Sequence, residues 1–166
     1  LRYRSGRAAD RFPELAAALR ALPCPGVVLD GEVVVLEEGG TPSFQLLQQR
    51  AQLSRASDLA RMSAALPVTY FAFDLLACDG HDLRALPLVQ RKALLARLVP
   101  AAGPLRYADH VESVGEALFA QVIARGVEGA GAKLANSPYR SKRSADWQKV
   151  KVDPTADFAI CGYTTP

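Results

Sequence analysis

The chain is 166 residues long, 49% hydrophobic and 22% charged, with a formal net charge of +3. That balance excludes a disordered chain, and the length suits one domain that buries about two thirds of its unfolded surface. No apolar run reaches the roughly 18–20 residues that a membrane crossing needs and no signal-peptide pattern opens the chain, so it reads as cytosolic.

In chain order, Phe12, Leu15, Ala16, Leu19 and Leu22 fall on one helical face, and Pro23 and Pro25 close that segment. Val27 to Leu36 is a β-branched run that Gly39-Gly40 cuts off. Ser43 is a candidate N-cap for a helix carrying Phe44, Leu47 and Ala51, and a short helix is expected around Leu59 to Leu66. Val68 to Leu76 reads as a buried strand ending in the turn Asp79-Gly80. A helix from about Leu88 to Val99, a strand near Leu105 to Ala108 and a helix from about Ser113 to Arg125 follow, the last stopped by Gly126. Gly129 to Leu134, Trp147 to Val152 and Asp157 to Tyr163 look like strands. The result is an α+β chain with much of its sheet antiparallel, because most strand pairs lack a crossover helix.

The densest chemical signal lies between Glu128 and Lys151. Arg140, Lys142, Arg143, Lys149 and Lys151 stand there against the single acid Asp146, so a partner at this segment is expected to be a polyanion. Alternation in a strand puts Trp147, Lys149 and Lys151 on one face, where two ammonium groups can meet one phosphate. Taken alone, such a cluster is more often a solvated edge strand with a charged loop. Asp30-Gly31-Glu32 puts two acids inside an apolar run. Two readings stay open for it: Glu32 meets a cation, a ligand or solvent, because burying an unpaired carboxylate is costly, or Asp30-Gly31 is a hairpin turn. Phe73 could stack on a base, but it shares a face with Phe71 and Leu75, which favours the core. Cys24, Cys78 and Cys161 are odd in number and far apart, and read as buried or idle thiols and not as a disulfide framework or zinc site. His81 and His110 are isolated and fit surface or turn positions.

Taken together, the ordered segments resemble the adenylation domain of ATP-dependent DNA ligases, particularly the bacterial end-joining type. Arg4-Ser5-Gly6 with Phe12-Pro13-Glu14-Leu15 resembles the arginine-glycine motif that follows the family's nucleophile strand. Asp30-Gly31-Glu32 resembles its acidic third motif, and Phe73-Asp74-Leu75-Leu76 the strand whose aromatic stacks on adenine. Ser43 to Arg50, and Leu86-Pro87-Leu88 with Arg91-Lys92, also match family wording. Glu128-Gly129 through Lys133 corresponds to the metal-associated motif and Trp147 to Lys151 to the two-lysine motif. Asp157 to Thr164 resembles the hinge and first strand of the following OB-fold domain.

The resemblance implies an α+β nucleotidyltransferase (ATP-grasp-like) domain of mainly antiparallel sheets flanked by helices and lacking its first strands. Residues 1–154 would be part of that adenylation domain, and 155–166 the start of the OB-fold domain. It also implies sealing of DNA breaks in repair or recombination with ATP and Mg²⁺, in a bacterial cytosol or nucleoid. Lys149 and Lys151 would serve the α-phosphate, Glu128 the metal, Glu32 the ribose or metal and Phe73 the adenine. Arg4 would take a DNA 5′-phosphate, while Arg140, Lys142 and Arg143 would track the DNA backbone. The family's nucleophile motif, Lys-x-Asp-Gly, does not occur in this sequence. The expectation is therefore a chain truncated before that motif and inactive alone. Ala130-Gly131 also departs from the family, which carries bulkier aliphatics there. An RNA ligase, a capping-type nucleotidyltransferase and a non-catalytic nucleotide- or DNA-binding module are the alternatives.

Overall fold

The computed structural model describes residues 1–3 and 6–152. They fall into two compact units, Leu1–His110 with Ala135–Ser141, and Val111–Leu134 with the stretch from Lys142 onward. The expected OB-fold segment, including Asp157 to Thr164, and the residues Arg4 and Ser5 lie outside the described residues.

In the first unit, α1 (Pro13–Arg20) starts on a proline, whose fixed φ suits the first helical position. β1 (Val28–Val35) follows, then α2 (Phe44–Gln52), α3 (Ala56–Ala65), β2 (Val68–Cys78), β3 (His81–Asp82), α4 (Leu88–Leu98) and β4 (Leu105–Tyr107). Ser43 sits at the N-cap of α2 as expected, but its side chain makes no capping hydrogen bond; its carbonyl accepts from Leu47 N–H. The sheet runs β1-β2-β3 antiparallel, with β4 parallel to β2. The parallel pair β2–β4 is joined through α4, a crossover of the kind that parallel pairing requires. Phe12, Leu15, Val35, Val68, Tyr70, Ala72, Leu75, Leu95 and Leu105 form the core with Val99. Burying a leucine such as Leu15 or Leu95 there contributes about 1.5–3 kcal/mol.

The Asp30-Gly31 hairpin reading is overturned. Both residues lie inside β1, opposite Asp74 and Ala72 of β2, and the chain returns through α2 and α3 instead of a turn. Gly31 serves close approach: a Cβ there would run into the Tyr70 ring and the Phe71 carbonyl. The real hairpin turn is Asp79-Gly80, where both residues have positive φ (51° and 78°), the geometry that matches strand twist.

The reading of Cys24 and Cys78 as buried or idle thiols is also overturned, while Cys161 lies outside the described residues. Cys24 and Cys78 are joined as a disulfide with their Cα atoms 6.5 Å apart. They are 54 residues apart in sequence, but β1 pairs antiparallel with β2 and sets Val28 opposite Ala77. The end of one strand therefore lies beside the approach to the other.

Among the described residues of this unit, two arginines are fully buried. Arg50 donates to Glu14 Oε1 (2.6 Å), Ser63 Oγ (3.1 Å) and the carbonyls of Leu66 and Arg11, tying α1, α2 and α3 together, with its guanidinium over the Phe12 ring. Arg91 binds Asp74 with two hydrogen bonds (2.7 and 2.9 Å). A buried charge is tolerated only when it is paired and hydrogen-bonded in this way.

In the second unit, α5 (Gly115–Ala124) ends as the sequence suggests. Gly126 has φ 65°, its N–H donates to Ile123 O and that of Val127 to Val122 O, which is a Schellman cap. β5 (Gly129–Lys133) and β6 (Trp147–Lys151) form a two-stranded antiparallel sheet.

Candidate functional site

In the second unit, Glu128 stands just before β5, and its carbonyl accepts from Val152 N–H (2.9 Å). Gly129 follows because a Cβ there would collide with the Val150 carbonyl across the pair. Close pairing sets Gly131 opposite Lys149 and Gly129 opposite Lys151. Lys149 Nζ donates to Glu128 Oε1 at 2.8 Å, and Lys133 Nζ sits 4.0 Å from the centre of the Trp147 ring opposite it. Both lysines of β6 are exposed, as is Glu128. The hydrogen bond from Lys149, and then its charge, hold the Glu128 carboxyl below the usual carboxylate range, and Lys151 adds to this. The small residues Ala130 and Gly131 leave this pairing intact, and Gly131 faces open space.

In the first unit, Glu32 is exposed on β1 opposite Phe71. The register steps from Asp74 to Ala72 across one residue of β1, which makes Phe73 the additional residue of a bulge, a device that re-aims a side chain. Phe73 is half-buried and belongs neither to the core cluster nor to the residues packed on it. The core reading of Phe73 is thereby corrected: the bulge separates it from Leu75, which is buried.

The segment Ala135–Ser141 is fastened to the first unit. Ala135 and Ser137 carbonyls accept from Val89 and Leu88 N–H, and Ser137 O also accepts from Arg91 Nη1. Tyr139 N–H donates to Arg84 O, and its hydroxyl donates to Asp30 Oδ2 at 2.9 Å. Burial first, then the Asp30 hydrogen bond and charge, push the Tyr139 hydroxyl up to about 12. Exposed Arg140 lines an open cavity of about 360 Å³ with Asp82, Arg84, Ala85, Pro138, Tyr139 and Ser141. Arg84 in that cavity is engaged by Asp82, whose carboxyl its hydrogen bonds hold down at about 2. Lys142 and Arg143 are exposed in the second unit.

A family model described as the ATP dependent DNA ligase domain matches residues 3–151. The chain belongs to this family. A relative named probable DNA ligase, from Anaeromyxobacter dehalogenans, is 40% identical over 151 residues, covering 89% of this chain and 29% of that protein. The multifunctional non-homologous end joining protein LigD of Pseudomonas aeruginosa is 37% identical over 159 residues, covering 95% of this chain and 18% of that one. A solved structure of mycobacterial DNA ligase D complexed with ATP and MES superposes with a TM-score of 0.70 at 35% identity, over 90% of this chain and 46% of that chain. The ligase-family chain thus spans less than a third of these curated relatives.

Within the ligase fold, the structure brings Glu128 and Lys149 into contact and aligns Lys151 beside them on the strand. Sequence reasoning missed the Tyr139–Asp30 bond, although both residues sit in segments it singled out. It also missed the Arg91–Asp74 pair, since charged residues are rarely fully buried and nothing local links positions 74 and 91.

Proposed function

We propose that the protein carrying this chain is an ATP-dependent DNA ligase that seals breaks through enzyme-adenylate and DNA-adenylate intermediates. The observation that carries this reading is the two-lysine strand β6 paired against Glu128, in a chain of the ligase family. Displacement at phosphorus asks a protein mainly for positioning and for neutralisation of charge. Lys149 and Lys151 are assigned to the α-phosphate of ATP, and Phe73 and Glu32 to the adenine and the ribose. Arg140, Lys142 and Arg143 are assigned to the DNA backbone, a sequence-independent and salt-sensitive contribution, and Arg4 to a 5′-phosphate. An OB-fold domain is the expected companion.

The Glu128–Lys149 pair is exposed on both sides, and such pairs contribute little stability. A phosphate can therefore draw Lys149 away while Glu128 turns to a cation. Magnesium takes one or two carboxylates and fills its shell with phosphate oxygens and water. Glu128 alone fits that donor pattern; among the described residues no cluster of three His, Cys, Asp or Glu exists. When held at Glu128, the ion would supply neutralisation of phosphate charge. None of Lys92, Lys133, Lys142, Lys149 and Lys151 stands in a Lys-x-Asp-Gly motif, so Lys149 and Lys151 are given the holding of nucleotide phosphate and not the attack on it.

The test is nick sealing by the full-length protein with ATP and Mg²⁺ on a DNA duplex and on an RNA counterpart. Sealing of DNA that requires ATP and is lost in Lys149→Ala is expected, and extra Mg²⁺ should partly relieve Glu128→Ala but not Lys149→Ala. Preference for the RNA nick, or a Lys149→Ala protein as active as its parent, overturns the reading. For Phe73, the ATP-induced rise in melting temperature should shrink in Phe73→Leu while the unliganded protein melts nearly as before.

A further inference from the structure

We propose that Cys24 and Cys78 form a reversible dithiol–disulfide pair, a redox modification site in the first unit made of none of the nucleotide-handling residues themselves. Their Cα separation of 6.5 Å lies within the span that a disulfide bridges. The backbone brings them together without help from sulfur. β1 pairs Val28 with Ala77, and Asp79 N–H donates to Pro25 O at 3.3 Å, so the segment after α1 and the end of β2 meet whether or not the bond is present.

Both cysteines are half-buried, which leaves them open to a small reagent. Partly exposed disulfides are the labile, regulatory kind. The bond closes a loop holding β1, α2, α3 and β2, and with it Glu32 and Phe73. Cross-linking so long a loop restricts the unfolded chain and favours the folded state. Oxidation therefore stabilises the folded framework that carries those residues, and reduction withdraws that stabilisation.

The reaction balances with a low-molecular-weight disulfide as oxidant. One cysteine thiolate attacks a sulfur of that reagent and expels one small thiolate, forming a mixed disulfide. The second cysteine thiolate then attacks the protein sulfur and releases the other small thiolate. Two protein thiols become one disulfide, and one small disulfide becomes two thiols. Excess small thiol runs the exchange backwards.

The experiment treats the full-length protein with oxidised or reduced glutathione, followed by alkylation, peptide mapping and a thermal melt. A cross-linked peptide joining Cys24 to Cys78 is expected after oxidation, reversed by the thiol. The oxidised protein should melt roughly 8–16 °C higher than the reduced one. Cys24→Ser and Cys78→Ser should each melt like the reduced parent in both conditions, whereas Cys161→Ser should keep the redox-dependent difference. Alkylation of both Cys24 and Cys78 after oxidation, a cross-link that uses Cys161 instead, or equal melting of the two forms overturns the proposal. Peptide mapping of the unmutated protein decides the matter even if a serine variant fails to fold.

Discussion

Replacing Asp74 with alanine should be among the most damaging single changes in the first unit. Asp74 and Arg91 are both fully buried, and Asp74 accepts two hydrogen bonds from the guanidinium and one from Leu75 N–H at 2.9 Å. Arg91 Nη1 reaches Ser137 O and Leu86 O, so it would stay in place with its charge unopposed. Breaking one side of a buried pair costs about 3–5 kcal/mol because the remaining charge has no counterion. At about 2–4 °C per kcal/mol for a chain of this size, the melting temperature should fall by roughly 6–20 °C. Asp74→Asn keeps an acceptor but not the charge and should cost less than alanine. The double change Asp74→Leu with Arg91→Met removes both charges and should recover part of the loss. Urea unfolding followed by circular dichroism measures this as a lower midpoint at constant slope. A loss under about 1 kcal/mol for Asp74→Ala, or a double variant no better than that single one, would refute the reasoning.

Two further outcomes are expected. Tyr139→Phe removes the hydroxyl that donates to Asp30 and should cost about 1 kcal/mol. Because the folded Tyr139 hydroxyl is raised to about 12 from its usual 10.0, its contribution is complete below the unfolded value and fades as pH climbs toward 12. An ultraviolet titration should lose that late phenolate step in Tyr139→Phe, and an unchanged curve would argue against it. Lys149→Ala should let the Glu128 carboxyl titrate back toward the ordinary carboxylate range, seen by NMR of the labelled side chain. The Glu128 value is depressed, so the pairing holds above the unfolded carboxylate value, is lost as pH falls through the folded one, and weakens in salt. A Glu128 titration indifferent to Lys149→Ala contradicts the assignment.

Where periodicity and turn chemistry act locally, the sequence was readable. The helix at Leu88, the strand at Val68, the Asp79-Gly80 turn and the Gly126 stop all emerge from residues within a few positions of each other. The bulge at Phe73 did not, because it exists only against β1, about forty residues earlier, and the same distance turned Asp30-Gly31 from a strand interior into an apparent turn. Cys24 with Cys78, and Arg91 with Asp74, are products of the same long-range pairing. The Glu128–Lys149 contact is a middle case. Strand alternation put Lys149 and Lys151 on one face in advance, but only the β5–β6 register sets the carboxylate against the first of them.

The short stretch Ala135–Ser141 belongs to the first unit although the chain on either side of it belongs to the second. A gene fragment stopping at His110 would therefore not encode a complete first unit. It would leave the amides of Leu88 and Val89 without their acceptors and the Arg91 guanidinium without Ser137, all in or beside a buried ion pair. Dissection of this chain for crystallisation or for domain grafting has to respect that interleaving. A cut-and-paste boundary drawn along the linear sequence divides one cooperative body, whereas a circularly permuted or internally linked design that keeps 135–141 in register preserves it.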